Sequence, residues 1–196
     1  KILRICNPDS YEKSEKYIVK LIKTQRFDLV LPLVDFSSSI LAKNKDELMK
    51  YAIICVNDKD VFEKSQDKLQ VMKVCMENEI SCPKTLDNIS NIEEVMDSEI
   101  QFPIIIKPRR GCGAKGFHKI LNQEQLKCVV VENQINLADM VVQECLPIES
   151  ALISDNIFVD KEGNIKSSFL YRCHRFYPLT GGTGTLNMTF DRTDVH

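Results

Sequence analysis

An apolar run that ends in a lysine and leads straight into a glycine-rich loop constrains this chain more than any other feature. The run covers residues 102–106, and Lys107 follows it. A continuous apolar run is typical of a buried strand, so we expect Lys107 at the rim of a rigid sheet. The loop adds glycines that let the backbone approach a ligand, and cations that attract an anion. These residues are Gly111, Gly113, Gly116, Arg109, Arg110 and Lys115. The combination predicts a polyphosphate site.

Composition places the chain among ordinary globular proteins. It has 196 residues, of which 43% are hydrophobic and 28% charged. The formal net charge of −2 gives no general attraction to nucleic acid or to an anionic membrane, so an anion site has to be local. No apolar stretch approaches the roughly 20 residues that cross a bilayer, and no signal-peptide pattern opens the chain. We expect a cytoplasmic protein without nucleic-acid or membrane partners.

The cysteines and histidines do not form a metal-binding pattern. Eight cysteines have irregular spacings without a CxxC pair, and the three histidines form no HxxxH pair. Zinc sites use such close pairs, so none is expected. Several cysteines lie in apolar runs, as Cys55 and Cys75 do, and we expect reduced thiols in the core.

The pattern of apolar residues changes near residue 57. Before it, strand patterns over residues 2–6, 28–34 and 52–56 alternate with helical patterns, which is the signature of a parallel α/β domain. We expect Asp9 to cap the first helix and a serine-rich turn at residues 37–39. Such domains normally open with their central strand, so we expect a leading segment that this sequence lacks.

Residues 58–196 show a different succession of elements. The expected helices and strands are, in chain order, a helix over residues 65–79, a helix capped by Ser90 that ends at Met96, strands over 102–107 and 117–120, a helix capped by Asn122 that ends near Val131, and strands over 140–146, 156–160 and 165–171. Residues 181–184 are rich in glycine and are expected to form a mobile loop near the substrate.

The three glycines match the dinucleotide-binding fingerprint GxGxxG. That fingerprint needs a helix that begins at the loop, because the helix N-terminus holds the pyrophosphate. Residues 117–120 are expected to be extended, and they also lack the Lys-Ser/Thr pair of a phosphate-binding P-loop. We therefore predict a flap between two antiparallel strands. A Rossmann-type NAD-binding oxidoreductase stays as one alternative.

Three motifs in this order resemble the ATP-grasp superfamily, in particular its carbamoyl-phosphate synthetase-like branch. They are residues 66–85, 102–116 and 142–149, and the resemblance covers about residues 28–185. It implies an ATP-grasp fold, an α+β nucleotide-binding domain, over residues 58–196, incomplete at its C-terminal side. Residues 1–57 are interpreted as a partial Rossmann-like parallel α/β domain that precedes it.

The resemblance also implies where a nucleotide is bound. Lys107 and Lys68 are similar to the family's phosphate-facing lysines, and the loop from Gly111 to Gly116, with Gly113 at its centre, resembles the flap over the triphosphate. The adenine hinge is implied for three consecutive residues that act mostly through their backbone, and the ribose hydroxyls are implied to bind a carboxylate. These residues are Glu144, Cys145, Leu146 and Glu149.

Arg172 and Arg175 resemble a stretch of the family in which arginines hold the transferring phosphate or an acyl-phosphate. Cys173 and His174 lie between them but are not expected to act as a nucleophile pair, because neighbouring strand residues point to opposite faces. The family's Mg²⁺ ligands lie farther downstream than this chain reaches, so no metal ligand is assigned.

The resemblance implies an ATP-dependent ligase that uses ATP and Mg²⁺. It would activate a small-molecule carboxylate as an acyl-phosphate for attack by an amine or a similar nucleophile. A second alternative is a non-catalytic nucleotide-binding module, since the metal-binding region is missing. The oligomeric state stays open, with a homodimer as one candidate.

Overall fold

The computed structural model describes residues 10–147, 152–160, 162–177 and 183–191. Contacts divide the chain into two compact units, residues 1–71 and 72–196. The boundary near residue 57, which marks a change of sequence pattern, stays a prediction. The strand predicted over residues 2–6 and the cap predicted at Asp9 lie outside the described residues.

The first unit contains a short parallel sheet with helices around it. Its elements are α1 (Tyr11–Thr24), β1 (Leu29–Val30), α2 (Asp35–Lys43), α3 (Lys45–Leu48), β2 (Ile53–Ile54) and α4 (Lys59–Gln66). The strands β1 and β2 pair in parallel, as the alternation of strands and helices predicts, but both are shorter than expected. Buried side chains from three helices and β2 form one core, namely Ile22, Leu41, Leu48 and Ile54.

Local hydrogen bonds define the helix ends in this region, and two predictions, the serine turn at residues 37–39 and the continuous helix over residues 65–79, are wrong. Ser10 caps α1, where its Oγ accepts a hydrogen bond from the Lys13 N–H at 3.3 Å. The serines at 37–39 lie inside α2 rather than in a turn, because the residues that follow them in the helix, Ile40 and Leu41, are buried. The serine hydroxyls are accommodated by donating to the carbonyls of Val34 and Phe36. Asp67 divides the helix predicted over residues 65–79, since its buried carboxylate caps a new helix that starts at Lys68.

The second unit is organised around a four-stranded antiparallel sheet in the order β3-β6-β4-β5. The elements before and within this sheet are α5 (Lys68–Glu77), which begins in the first unit, β3 (Thr85–Leu86), α6 (Ile92–Met96), β4 (Ile104–Pro108), β5 (His118–Ile120), α7 (Gln123–Glu132), a 3₁₀ turn (Leu137–Asp139) and β6 (Met140–Glu144). The predicted strands at 102–107, 117–120 and 140–146 are therefore present with shorter bounds.

One face of this sheet forms the main core. Ile104 and Ile106 are fully buried, and Ile120 and Val142 lie opposite them on the neighbouring strands. The helices α6 and α7 contribute Val95 and Leu126 to the same cluster, and the burial of each such side chain contributes about 1.5–3 kcal/mol. Because side chains alternate along a strand, Lys107 must lie on the opposite face.

Asparagines cap both of these helices. Asn122 accepts a hydrogen bond from the Gln125 N–H at 2.9 Å, so the predicted cap of α7 is confirmed. The cap of α6 lies one residue later than predicted, because Asn91 rather than Ser90 accepts from the Glu94 N–H. Ser90 instead donates its own N–H to the Glu94 carboxylate at 2.7 Å.

A three-stranded antiparallel sheet completes the second unit. It consists of β7 (Leu152–Val159), β8 (Ile165–Tyr177) and β9 (Thr183–Thr189), in that order. Both β7 and β8 are longer than predicted, and β9 includes residues that were expected to form a mobile loop. Gly184 allows this strand to pack closely, because a Cβ there would lie 2.7 Å from the Sγ of Cys173. Among the described residues, no helix is both long and apolar enough to span a membrane.

Candidate functional site

The glycine loop joins two neighbouring antiparallel strands. Its first strand, β4, pairs with β5 immediately after the loop, and α7 begins only at Gln123. A dinucleotide fingerprint needs a helix that starts at the loop, so the Rossmann-type oxidoreductase interpretation is wrong for this motif. The predicted hairpin loop is confirmed, and residues 110–116 are all exposed.

The backbone of this loop requires glycine. Gly111, Gly113 and Gly116 have φ values of +110°, +70° and +70°. Residues other than glycine rarely adopt a positive φ, although Ala114 does so here with a φ of +56°. Arg109 is tied to the sheet at the start of the loop by a hydrogen bond from its N–H to the Asp139 carbonyl, at 3.0 Å. The loop is therefore anchored at its base and presents its backbone to solvent.

Lys107 belongs to a chain of hydrogen bonds that crosses three strands. Its Nζ donates to Oε1 of Gln143 at 2.9 Å, and Nε2 of Gln143 donates to Oγ1 of Thr85 at 2.8 Å. The Thr85 hydroxyl donates in turn to the Pro83 carbonyl at 2.8 Å. Neither Gln143 nor Thr85 was predicted as a site residue. The signal for Gln143 was a single amide directly after the apolar residues 140–142.

The predicted hinge uses most of its polar groups to hold the sheet together. Glu144 donates its N–H to the Lys84 carbonyl at 2.9 Å, and its carboxylate accepts from the Lys84 N–H at 2.6 Å. The N–H of Cys145 donates to the Pro103 carbonyl at 3.1 Å. The Leu146 N–H makes no hydrogen bond within the described part of the chain. Of these three residues, Leu146 therefore has the backbone donor that a bound base could use.

Two further predicted nucleotide contacts remain predictions. Lys68 is the first residue of α5 and lies in the first unit, whereas Lys107 lies in the second. Glu149 lies outside the described residues.

Arg172 lines a small cavity in the three-stranded sheet. The cavity has a volume of about 160 Å³, and its lining residues are Arg172, His174, Met188, Thr189 and Phe190. The guanidinium carbon of Arg172 lies 5.3 Å from the centre of the Phe190 ring, which is within the range of a cation–π contact. Its Nε is buried and has no hydrogen-bond partner among the described residues. A buried guanidinium N–H without an acceptor favours a ligand that supplies one.

The structure brings His174, rather than Arg175, to Arg172. The pairing of β8 with β9 shifts register between Cys173 and Arg175, and such bulges redirect side chains. Cys173 is buried and its Sγ lies 3.2 Å from the Arg175 carbonyl, whereas His174 is exposed in the cavity. Arg175 is exposed and does not line this cavity.

Comparison with known proteins identifies the family. The ATP-grasp domain family matches residues 65–166, just over half of the chain. The chain belongs to the ATP-grasp family. The matched range contains the glycine loop, Lys107, Gln143 and the hinge. The carbamoyl-phosphate synthetase-like branch is not distinguished by this match and stays a prediction.

A curated ATP-grasp relative is the D-aspartate ligase of Enterococcus faecium, strain Aus0004. It is 22% identical over 180 residues, which are 84% of this chain and 40% of the relative. The chain thus spans about two fifths of the length of the curated relative it matches.

Solved structures support the ATP-grasp fold. The biotin carboxylase domain of 2-oxoglutarate carboxylase from Hydrogenobacter thermophilus has a TM-score of 0.66 and 19% identity, over 82% of this chain and 37% of that one. The N5-carboxyaminoimidazole ribonucleotide synthetase of Thermotoga maritima has a TM-score of 0.59 and 22% identity, over 82% and 39%. The L-amino acid ligase of Bacillus licheniformis has a TM-score of 0.60 and 13% identity, over 84% and 37%. The first of these was solved with MgADP and bicarbonate.

The described part of this ATP-grasp chain contains no assembled metal site. Within those ranges, no three His, Cys, Asp or Glu side chains form a group that could hold a metal ion. Asp160 is used by the turn between β7 and β8, where Lys166 and the N–H groups of Asn164 and Glu162 contact its carboxylate. The Lys166 ammonium, followed by these hydrogen bonds, lowers the pKa of Asp160 below its usual value.

The described cysteines are free thiols, as predicted. Cys55, Cys75, Cys82 and Cys145 are partly buried, and Cys112 and Cys128 are exposed. Only Cys173 among these described residues is buried, so the expectation of core thiols is wrong for the others. Cys55, Cys82, Cys112 and Cys145 lie in connecting segments outside the helices and strands, whereas Cys75 and Cys128 lie on helices without being buried.

Proposed function

We propose that this protein is an ATP-dependent ligase that activates a carboxylate as an acyl-phosphate for attack by an amine or a similar nucleophile. One observation carries the proposal. Lys107 extends from the strand that enters the glycine loop, and its ammonium is held by Gln143, which directly precedes the hinge that starts with Glu144. Two neighbouring strands, β4 and β6, thus carry the groups that a nucleotide needs. Lys107 is the cation, the glycine loop can cover the phosphates, and the Leu146 N–H is a backbone donor for the base.

Each group has a chemical task in this reaction. A carboxylate oxygen of the substrate attacks the γ-phosphorus of ATP, and the bond to the leaving ADP breaks. The amine then attacks the acyl carbon, phosphate leaves and the amine nitrogen loses a proton. Lys107 and the loop N–H groups stabilise the negative charge on the phosphates, and bound Mg²⁺ adds further neutralisation. The Leu146 N–H donates to the adenine ring.

Arg172 is the arginine that we assign to the transferring phosphoryl group or the acyl-phosphate. A guanidinium matches phosphate oxygens with parallel hydrogen bonds, and its buried Nε provides an N–H that the described residues do not satisfy. His174, which lines the same cavity, is a polar neighbour for the same ligand. The roles of Lys68, Glu149 and Arg175, and the use of Mg²⁺, remain part of the proposal. Cytoplasmic placement and a homodimer also remain predictions.

Release of ADP tests the activity. The full natural chain is incubated with MgATP and a panel of carboxylates and amines, with D-aspartate first because the curated relative is a D-aspartate ligase. We expect ADP release that requires both a carboxylate and an amine, and its loss in Lys107→Ala. Unchanged ATP affinity in Lys107→Ala, measured by calorimetry, would refute the site.

A non-catalytic nucleotide-binding module is the second candidate. It is favoured by the lack of a metal-binding group among the described residues. Tight ATP binding that depends on Lys107, together with no ADP release for any pair in the panel, would support this candidate over the ligase.

A further inference from the structure

We propose that Gln143 is a positioning residue that orients Lys107 toward the hinge through a neutral hydrogen-bond chain. This inference rests on the proposed role of Lys107 in binding nucleotide phosphates. The chain runs from Lys107 through Gln143 and Thr85 to the Pro83 carbonyl.

Chemistry fixes the direction of every hydrogen bond in this chain. A lysine ammonium only donates, so Gln143 must turn its oxygen toward Lys107 and its NH₂ group toward Thr85. The Thr85 hydroxyl accepts from that NH₂ group and uses its hydrogen for the Pro83 carbonyl, which only accepts. The amide of Gln143 therefore has one favourable orientation, and a flipped amide would place two donors against each other.

Burial makes this orientation rigid. Gln143 is only 4% exposed, and a buried amide without partners costs a few kcal/mol relative to a bonded one. Both ends of the Gln143 amide have partners within 3 Å. Its side chain is therefore held in place by packing and by hydrogen bonds, and it gives Lys107 a fixed acceptor.

The register of the strands explains where this acceptor directs Lys107. Lys107 is directly opposite Val141, whereas Gln143 is opposite Ile105. The Lys107–Gln143 contact is thus a diagonal one, at a separation that long side chains bridge. The contact with Gln143 directs the ammonium over the sheet, toward the C-terminal end of β6 that leads into Leu146. Without it, the Lys107 side chain could extend beyond the end of β4. Because the amide is neutral, this contact orients the charge of Lys107 without cancelling it.

Titration calorimetry with MgATP in a double-mutant cycle tests the inference. The proteins are the full natural chain and its Gln143→Met, Gln143→Glu, Lys107→Met and doubly substituted Gln143→Met/Lys107→Met variants. We expect Gln143→Met to weaken ATP binding about tenfold. Gln143→Glu keeps an acceptor for Lys107 but pairs the charge of the lysine and removes the donor to Thr85, so it should weaken ATP binding about threefold or more. In the Lys107→Met background, Gln143→Met should have no further effect, because it acts through the missing lysine.

A control variant and melting curves separate positioning from folding. Gln101→Met removes an exposed glutamine and should leave both affinity and melting temperature unchanged. Thr85→Val removes the next hydrogen bond of the chain and should weaken ATP binding less than Gln143→Met does.

The outcomes distinguish this inference from the proposed function. If Lys107→Met weakens binding but Gln143→Met binds as tightly as the parent, or the two effects add fully, the positioning role is refuted and the site stands. If Gln143→Glu binds ATP as tightly as the parent, the need for a neutral acceptor is refuted as well. If Lys107→Met binds ATP as tightly as the parent, the nucleotide site itself is refuted.

Discussion

Gly116 packs directly on the ring of Pro108. A Cβ at Gly116 would lie 2.9 Å from Cγ of Pro108 and 3.2 Å from its Cδ, distances at which the ring or the loop has to move. Pro108 ends β4 and Gly116 ends the glycine loop, so this contact closes the loop at its base. Position 116 therefore requires glycine for two reasons, its positive φ and the lack of space for a Cβ.

We therefore predict that Gly116→Ala destabilises the fold more than Gly113→Ala does. Both glycines have a φ of +70°, but a Cβ at Gly113 would meet nothing within 4 Å. Backbone strain alone should cost about 1 kcal/mol at either position, and the Pro108 contact should add about 1–2 kcal/mol at Gly116. Urea denaturation measures the difference, and equal midpoints for the two variants would contradict the closure of the loop by Pro108.

Replacement of Leu146 by proline removes the hinge donor. We predict that Leu146→Pro weakens the binding of ATP and ADP about tenfold, the usual effect of one lost hydrogen bond. Leu146→Ala keeps the N–H and should retain most of the affinity, so it is the matched control. Calorimetry with ADP gives both values, and the same affinity in the two variants would argue against a hinge contact through this group.

Arg172 should act on the transferring phosphoryl group and not on the rest of the nucleotide. We predict that Arg172→Ala leaves the affinity for ADP unchanged but weakens the binding of ADP with aluminium fluoride about a hundredfold. Arg175→Ala should have a smaller effect, because Arg175 does not line the cavity. Arg172→Lys, which keeps the positive charge, is the control for misfolding: it should bind ADP as the parent does and should lose less affinity for ADP with aluminium fluoride than Arg172→Ala. Equal losses for ADP alone and for ADP with aluminium fluoride would contradict the assignment.

Asp160 should make the stability of the protein depend on pH. Its pKa is lowered in the folded state, chiefly by Lys166, so its contribution is present above the pKa of the unfolded chain and is lost as the pH falls through the folded value. Asp160→Asn should therefore be less stable than the parent at neutral pH, and the gap should narrow below about pH 4. Urea midpoints at both pH values test this, and a gap that does not change with pH would contradict it.

Sequence patterns predicted the elements whose signals are local. The apolar residues of β4, the extended residues after the loop and the Asn122 cap of α7 are each encoded within a few positions. Features that depend on distant residues were missed. Gln143 and Thr85 are 58 positions apart, and only the pairing of β3 with β6 brings them together.

The same reasoning explains the errors at residues 183–184 and at Asp67. The glycines after residue 180 are typical of a mobile loop. At position 184, however, glycine is needed for space, because the Sγ of Cys173 lies only 2.7 Å from where a Cβ would be. Asp67 occurs in the middle of a helical pattern, and only its burial shows that it ends one helix and caps the next. The spacing of apolar residues along the sequence shows neither a close contact between distant residues nor the burial of a single carboxylate.

The central position of β6 has a consequence for the protein while it is being made. Of the four strands in its sheet, β6 leaves the ribosome last, yet it lies between β3 and β4. Until it emerges, the edges of β3 and β4 that it later covers stay unpaired and can associate with other chains, and such exposed edges are a typical target for chaperones. The acceptor for Lys107 arrives with the same strand, so the capacity to bind a nucleotide should appear in one step, when β6 joins the sheet.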